Sequence, residues 1–225
     1  MSVKINYNKK LLSKTTSNLV LFSNEKFNIN GLKKDLSNSE FNYISDLLKS
    51  ADLKKKLLFF EINSKKKIYL ISIKNNFKDL DIENLGAEFY GRINSAKSDD
   101  YYIISDSIIT KNKNFLGYFL HGLKLKSYEF KKYKSKKNQR VITLNICGSK
   151  NVPSAKTQLK FRALEEGTFY TRDLVSEPGN ILHPDEYAKR LVNLKKDGLR
   201  VNIFDEKKLK KLGMYSLLGV GMGKC

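Results

Sequence analysis

From residue 3 to residue 147, short apolar β-prone runs alternate with stretches of helical period, and no other feature of the sequence narrows the fold as much. "VKINY" (3–7), "LVLFS" (19–23), "KLLFFEI" (56–62), "KIYLISI" (67–73), "YYIISD" (101–106) and "RVITLNIC" (140–147) read as strands. The second pair joins at "NSKK", a hairpin signal. Between the strands, 41–55 carries apolar residues at 41, 44, 47 and 48, a helical spacing. Residues 80–93 place Leu85, Phe89 and Ile93 on one helical face, and 115–130 align Phe115, Phe119 and Leu123. Interleaving of this kind predicts a layered α/β domain, and the hairpin makes its sheet mixed.

After the turn-rich joint "GSKNVPSAK" (148–156), residues 157–177 read as one long helix that stops at Pro178-Gly179. A second helix begins at Pro184, with Glu186 in its first turn, Tyr187, Leu191 and Leu194 on its apolar face, and Gly198 as its stop. "LRVNIFD" (199–205) then reads as a strand, Asp205 as a cap, and "EKKLKKLG" as a short helix ending at Gly213. "MYSLLGVGMG" begins a further strand or loop.

Composition excludes several classes. Hydrophobic residues make up 40% of the 225, with 13 Phe and 12 Tyr, so a sizeable core can form. No apolar run approaches the ~20 residues of a membrane span, and "MSVKINYNKK" lacks the apolar centre of a signal peptide. The two cysteines, Cys147 and Cys225, make no disulfide framework. A cytoplasmic protein with no membrane contact is the expectation.

The net charge is +20, from 43 basic and 23 acidic residues. It permits weak nonspecific binding of nucleic acid. The lysines are scattered, however, and the densest run, 124–140, carries eight Lys or Arg, one Glu, and Tyr128, Phe130 and Tyr133. Solvated lysines over inward-packed aromatics are favoured there over a nucleic-acid track.

Chemistry-bearing residues are sparse. His121 lies in a helical pattern and reads as structural, and His183 stands at a helix start, too far from a partner for a metal spacing. Cys147, among Ile and Leu, reads as a buried inert thiol. The paired acids point in different directions on their elements. The terminal "LLGVGMGKC" (217–225) suggests a phosphate loop, but the Walker spacing needs glycine where Leu218 stands and a hydroxyl where Cys225 stands. The dinucleotide fingerprint needs glycine at Lys224. A tight backbone turn is the better reading of these glycines.

Three ordered stretches carry a resemblance. "TRDLVSEPGNILHPDEYA" (171–188) resembles the segment joining the two domains of cytosol leucine aminopeptidases, which reads Arg-Asp-Leu-Val-Asn, then Pro, Asn and a Thr-Pro-Glu helix start. The matching residues are Arg172, Asp173, Leu174, Val175, Pro178, Asn180, Pro184 and, one position late, Glu186. "LKLKSYEFKKYKSKK" (123–137) is similar to the family's Gly-Ser-Tyr-Arg-Phe-Asp-Lys-Tyr-Lys segment. "KLGMYSLLGVGMG" (211–223), with Gly221 and Gly223, resembles its Leu-Gly-Met…Leu-Leu-Ala-Val-Gly-Gln-Gly segment. Departures are His183 for a capping Thr, Ser176-Glu177 for Asn-Thr, and Met222 and Lys224 for Gln and Ser.

The resemblance implies a macro-like mixed α/β domain that is not catalytic (1–150), a connecting helix (151–180), and the truncated start of an α/β metallopeptidase domain (181–225), opening with its first β–α unit. It implies an intracellular aminopeptidase, a homo-hexamer acting on peptide N-termini with two divalent ions, Mn²⁺ or Zn²⁺ among them. The family's ion ligands, a Lys and several Asp and Glu, lie beyond the Gly-x-Gly segment, and no stretch here matches their Asn-Thr-Asp-Ala-Glu-Gly-Arg motif. No catalytic or metal residue is therefore carried over; Arg172, Asp173, Pro178, Asn180, Gly221 and Gly223 are motif positions of structural character. The chain alone is expected to be inactive and to bind no metal. The rival readings are a basic DNA- or RNA-binding α/β domain and, because of the macro-like fold, an ADP-ribose binder.

Overall fold

A computed structural model describes residues 3–8, 18–74, 76–96, 98–135 and 140–221. Six strands, β1 (Val3–Asn8), β2 (Asn18–Asn24), β3 (Leu57–Glu61), β4 (Lys67–Ile73), β5 (Asp100–Ile104) and β6 (Ile142–Cys147), form one sheet. Their order is β1-β6-β5-β2-β4-β3. Only the β3–β4 pair is antiparallel; the others are parallel. That pair is the hairpin expected at "NSKK". Asn63 closes it, its Oδ1 accepting from the Lys65 and Lys66 amides at 2.9 Å each.

Parallel strands need crossovers, and helices α1 (Asn38–Ser50), α2 (Asp79–Asn94) and α3 (Phe115–Lys126) lie along them. β2 shows why its sequence is a continuous apolar run. Leu19 and Leu21 face one core with Ile44 of α1, while Val20 and Phe22 face the other with Phe89, Phe115 and Phe119 of α2 and α3. A strand covered on both faces has no polar side to alternate with. Phe22 meets Phe115 and Phe119 edge-on at 5.6 and 5.4 Å, geometry that adds about 0.5–1.5 kcal/mol per pair beyond burial.

α2 and α3 cross on glycines. A Cβ on Gly86 would lie 1.9 Å from the Phe119 carbonyl oxygen, and one on Gly122 would lie 1.9 Å from that of Glu83. α4 (Ala155–Ser176) packs on α3 through Phe161, whose ring fills the space a Cβ on Gly117 would need and lies 5.0 Å from the His121 ring. His121 is buried, its Nδ1 3.2 Å from Glu165 Oε1. It is the structural histidine expected.

The remaining helices are α5 (Pro184–Asn193), α6 (Glu206–Lys211) and α7 (Tyr215–Gly221). The chain divides into two compact units, residues 1–169 and 170–225, and the division falls within α4.

Four local expectations are corrected. The first helix occupies 38–50 rather than 41–55, because Ser37 and Glu40 form a capping box and Ala51 is extended. The helix expected over 115–130 ends at Lys126, with Ser127 as its cap. Residues 199–205 form no strand, so the β–α unit expected to open the second domain is not formed among the described residues. A strand needs a neighbour to bond with, and no strand of the described residues pairs there. Residues 215–221 are helical rather than strand or loop, and Gly219 and Gly221 lie in that helix, not in a tight turn. A helix satisfies its own backbone where no partner strand is present. Gly223 lies outside the described residues.

Candidate functional site

The motif segment 171–188 folds as the end of α4, a turn, and the start of α5. The Glu177 amide still donates to the Asp173 carbonyl at 3.1 Å, but Pro178 supplies no N–H and α4 stops. The Pro178 carbonyl instead accepts from the Ile181 and Leu182 amides at 2.9 Å each, which turns the chain through the exposed Asn180. His183 is the N-cap of α5 but its side chain makes no capping bond, and Pro184 takes the first helical position. Arg172 is half-buried and Asp173 exposed, both in the last turns of α4.

The residue that ties this turn together is Arg190, which the sequence reading missed. Its Nη1 donates to Glu177 Oε1 at 2.9 Å and its Nε to Glu186 Oε1 at 3.0 Å. Its backbone carbonyl accepts from the Tyr170 hydroxyl at 3.0 Å. The Glu177 side chain is only 1% exposed, so this carboxylate is buried against its guanidinium partner. Hydrogen bonds to Glu177 and Glu186 hold the Arg190 guanidinium above its ordinary value, and the Arg190 bond holds the Glu186 carboxyl below the usual carboxylate range. The i,i+4 spacing of Glu186 and Arg190 was the available signal. The Tyr170 and Glu177 contacts needed the turn itself.

Beyond α5, Gly198 (φ +87°) and Gly213 (φ +70°) take the left-handed caps that glycine favours. Asp205 caps α6 through the Lys208 amide at 2.8 Å. The expected apolar face of α5 is only partly covered, with Tyr187 43% exposed. Leu199, Ile203, Phe204, Leu212, Tyr215 and Leu217 are exposed as well.

Among the described residues no group of three or more His, Cys, Asp or Glu side chains could hold a metal ion. The donor set of the described residues does not fit a two-ion centre. Cys147 is buried, and burial pushes its thiol up, away from thiolate chemistry. Cys225 lies outside the described residues.

The other sequence candidates are largely engaged internally. In the basic run, Arg140 clamps the loop before β5, donating to Asp99 Oδ1 (2.5 Å), Asn94 O (2.7 Å) and Ser98 O (2.5 Å). Lys131 pairs with Glu129, Tyr128 packs on Phe169 at 5.5 Å, and Phe130 meets Tyr133 at 5.8 Å. Lys136 and Lys137 lie outside the described residues. At the carboxyl ends of β5 and β6, where open α/β sheets hold ligands, the Ser149 and Lys150 amides donate to Asp106 Oδ1 at 2.8 and 2.6 Å. A carboxylate of the chain itself therefore takes the donors that a phosphate would use. No helix among the described residues is long and apolar enough to cross a membrane.

Comparison with known proteins bears on the same segment. The family described as cytosol aminopeptidase family, catalytic domain, matches residues 169–224, beginning at the boundary between the two units. The probable cytosol aminopeptidase of Dinoroseobacter shibae is 40% identical over 102 residues, covering 45% of this chain and 21% of that protein. That of Caulobacter vibrioides is 42% identical over 106 residues, 45% of this chain and 22% of that protein. That of Nitrobacter winogradskyi is 30% identical over 153 residues, 66% of this chain and 31% of that protein. Among solved structures, a tomato leucine aminopeptidase mutant superposes with a TM-score of 0.70 at 18% identity, over 94% of this chain and 46% of that one. The bottromycin maturation enzyme BotP in complex with Mn gives 0.66 at 13% identity, over 94% and 43%. The matched region thus spans about a fifth to a third of these curated relatives and less than half of the solved chains. Residues 169–224 are thus similar in sequence to the catalytic domain of the cytosol aminopeptidase family, and nearly the whole chain shares the α/β fold of a leucine aminopeptidase.

Proposed function

We propose that this chain contributes to a cytoplasmic, metal-dependent aminopeptidase that removes N-terminal residues, leucine among them, from peptides. The observation that carries the reading is the coincidence of the catalytic-domain match, 169–224, with the second compact unit and its motif turn. In this reading residues 1–150 are a domain without catalytic residues, 151–180 connect, and 181–225 open the peptidase domain. Two divalent ions, Mn²⁺ or Zn²⁺, would be held by side chains other than those described here, since these offer no ligand group. They would polarise the scissile carbonyl and activate water. A homo-hexamer is the proposed assembly. The exposed apolar residues of 199–217 support an unfinished peptidase core, because a free surface seldom gathers so many large hydrophobics.

The test is a release assay with leucine p-nitroanilide and added Mn²⁺. The 225-residue chain should show no turnover above an EDTA-treated control; metal-dependent turnover by it would overturn the assignment of ligands elsewhere. A chimera joining this chain to the remaining catalytic domain of the Caulobacter vibrioides relative should be active. A folded, metal-loaded chimera without activity would sink the aminopeptidase reading.

A further inference from the structure

The first unit carries a feature that the aminopeptidase reading does not use. Between the edge strand β3 and helix α2 the surface opens into a groove of about 540 Å³, within the range of small-molecule sites. One wall is Lys55, Lys56 and Leu57, at the entry to β3; the other is Glu88, Arg92 and Ser95, on and just after α2. Three cations thus face one carboxylate.

The Arg92 side chain is held by ring contacts rather than left free in solvent. The Arg92 guanidinium stacks over the Phe59 ring at 4.1 Å, and that ring stacks in turn on Tyr69 at 6.2 Å and 28°. Glu88 stands four residues before Arg92, the spacing of a helical ion pair, yet among the described residues no ion pair joins them. Lys55 and Lys56 also make no ion pair with any described acid. The backbone beneath them is held, since the Ser72 amide donates to the Lys56 carbonyl at 2.8 Å and the Lys55 amide to the Asp52 carbonyl at 3.3 Å. A guanidinium whose plane is pinned loses little freedom on binding and presents paired N–H groups to a phosphate. Two ammonium groups opposite it suit the same anion. Glu88, exposed in the same groove, can accept a hydrogen bond from a ligand donor.

We propose that this groove binds a phosphorylated small molecule that also carries hydrogen-bond donors, such as a nucleoside or sugar phosphate. The site lies on β3 and α2, outside the 169–224 segment, and does not depend on the aminopeptidase reading.

The experiment is calorimetric titration of the 225-residue chain with 5′-AMP, with inorganic phosphate and adenosine as part-ligands. AMP should bind saturably and adenosine should not. Arg92→Gln and the double variant Lys55→Gln/Lys56→Gln should each weaken AMP at least tenfold. The double variant changes only exposed turn residues, so its thermal midpoint should match the parent and exclude misfolding. Glu88→Gln should weaken AMP but leave inorganic phosphate unchanged. A charge control, Lys131→Gln/Lys134→Gln, should have no effect; an equal loss there would reduce the binding to net charge and overturn the site. A single-stranded oligonucleotide separates the sources of phosphate. If it binds through Arg92 while AMP does not, the small-molecule assignment fails and a nucleic-acid backbone is the ligand. Absence of saturable binding by any of these probes also overturns the proposal.

Discussion

Gly86 and Gly122 stand where two helices touch backbone to backbone. Neither has a left-handed φ that would demand glycine; the demand is purely one of space, because carbonyl oxygens occupy the positions of both absent Cβ atoms. The obstacle is backbone and cannot swing aside. Gly86→Ala or Gly122→Ala must push α2 and α3 apart over the Phe89–Phe119 contact, whose centroids are 5.6 Å apart. Overpacking of this kind costs about 1–3 kcal/mol and sometimes more, which lowers the thermal midpoint by roughly 2–4 °C per kcal/mol. Gly167→Ala in α4, where a Cβ meets nothing within 4 Å, should instead stabilise by about 0.5–1 kcal/mol. Calorimetric melts of the three variants check the contrast; equal effects at Gly86 and Gly167 would refute the steric account. The sequence showed both helices and their apolar faces, since Leu85, Phe89, Phe119 and Leu123 recur at helical spacing. It could not show that Gly86 meets Phe119 or that Gly122 meets Glu83, because a glycine leaves no hydrophobic signature.

Among the elements, α1 shows local chemistry deciding where a helix begins. The Ser37 hydroxyl accepts from the Glu40 amide at 3.2 Å, and the Ser37 amide donates back to Glu40 Oε2 at 3.0 Å. Lys66, from the hairpin, reaches the same carboxylate at 2.7 Å. Burial alone would raise the Glu40 carboxyl, but the bonds from Lys66 and Ser37 outweigh it and hold it below its ordinary value. A depressed folded-state value means that the contribution is complete above the unfolded carboxylate value, about 4.3, and is lost as pH falls through the lower folded one. Glu40→Gln should therefore flatten the acid limb of stability in denaturant melts below about pH 4.3, with little change in slope near neutrality. Ser37→Ala should cost about 1 kcal/mol at neutral pH.

α5 is held differently, through the tertiary clamp of Arg190. Arg190→Met removes both carboxylate bonds and leaves Glu177 buried without its guanidinium. Hydrogen exchange of the α5 amides should quicken several-fold while the six-stranded sheet keeps its protection. Unchanged α5 exchange would show the clamp to be incidental. The segment 199–205 makes the opposite point. "LRVNIFD" is as β-prone as the runs that became β2 and β6, yet with no neighbour to bond it stays irregular.

For the molecule as a whole, the two units differ in how far they bury their apolar side chains. The first closes its core on both faces of the sheet, while the second displays large apolar side chains and no strand among its described residues. The amino-acid sequence by itself determined the alternation of elements, the hairpin, the long helix stopped by Pro178, and the family likeness at 171–188. Periodicity, proline and glycine act within a few residues of where they stand, so these features are readable one window at a time. Only the tertiary structure decided the strand order, the glycine crossing of α2 and α3, the burial of His121 against Glu165, and the Arg190 clamp. It likewise decided that Asp106 takes the amides after β6 and that Lys55, Lys56 and Arg92 share one groove. Each of those joins residues distant in sequence, and which ones meet depends on how sheet and helices pack, information that no local spacing carries.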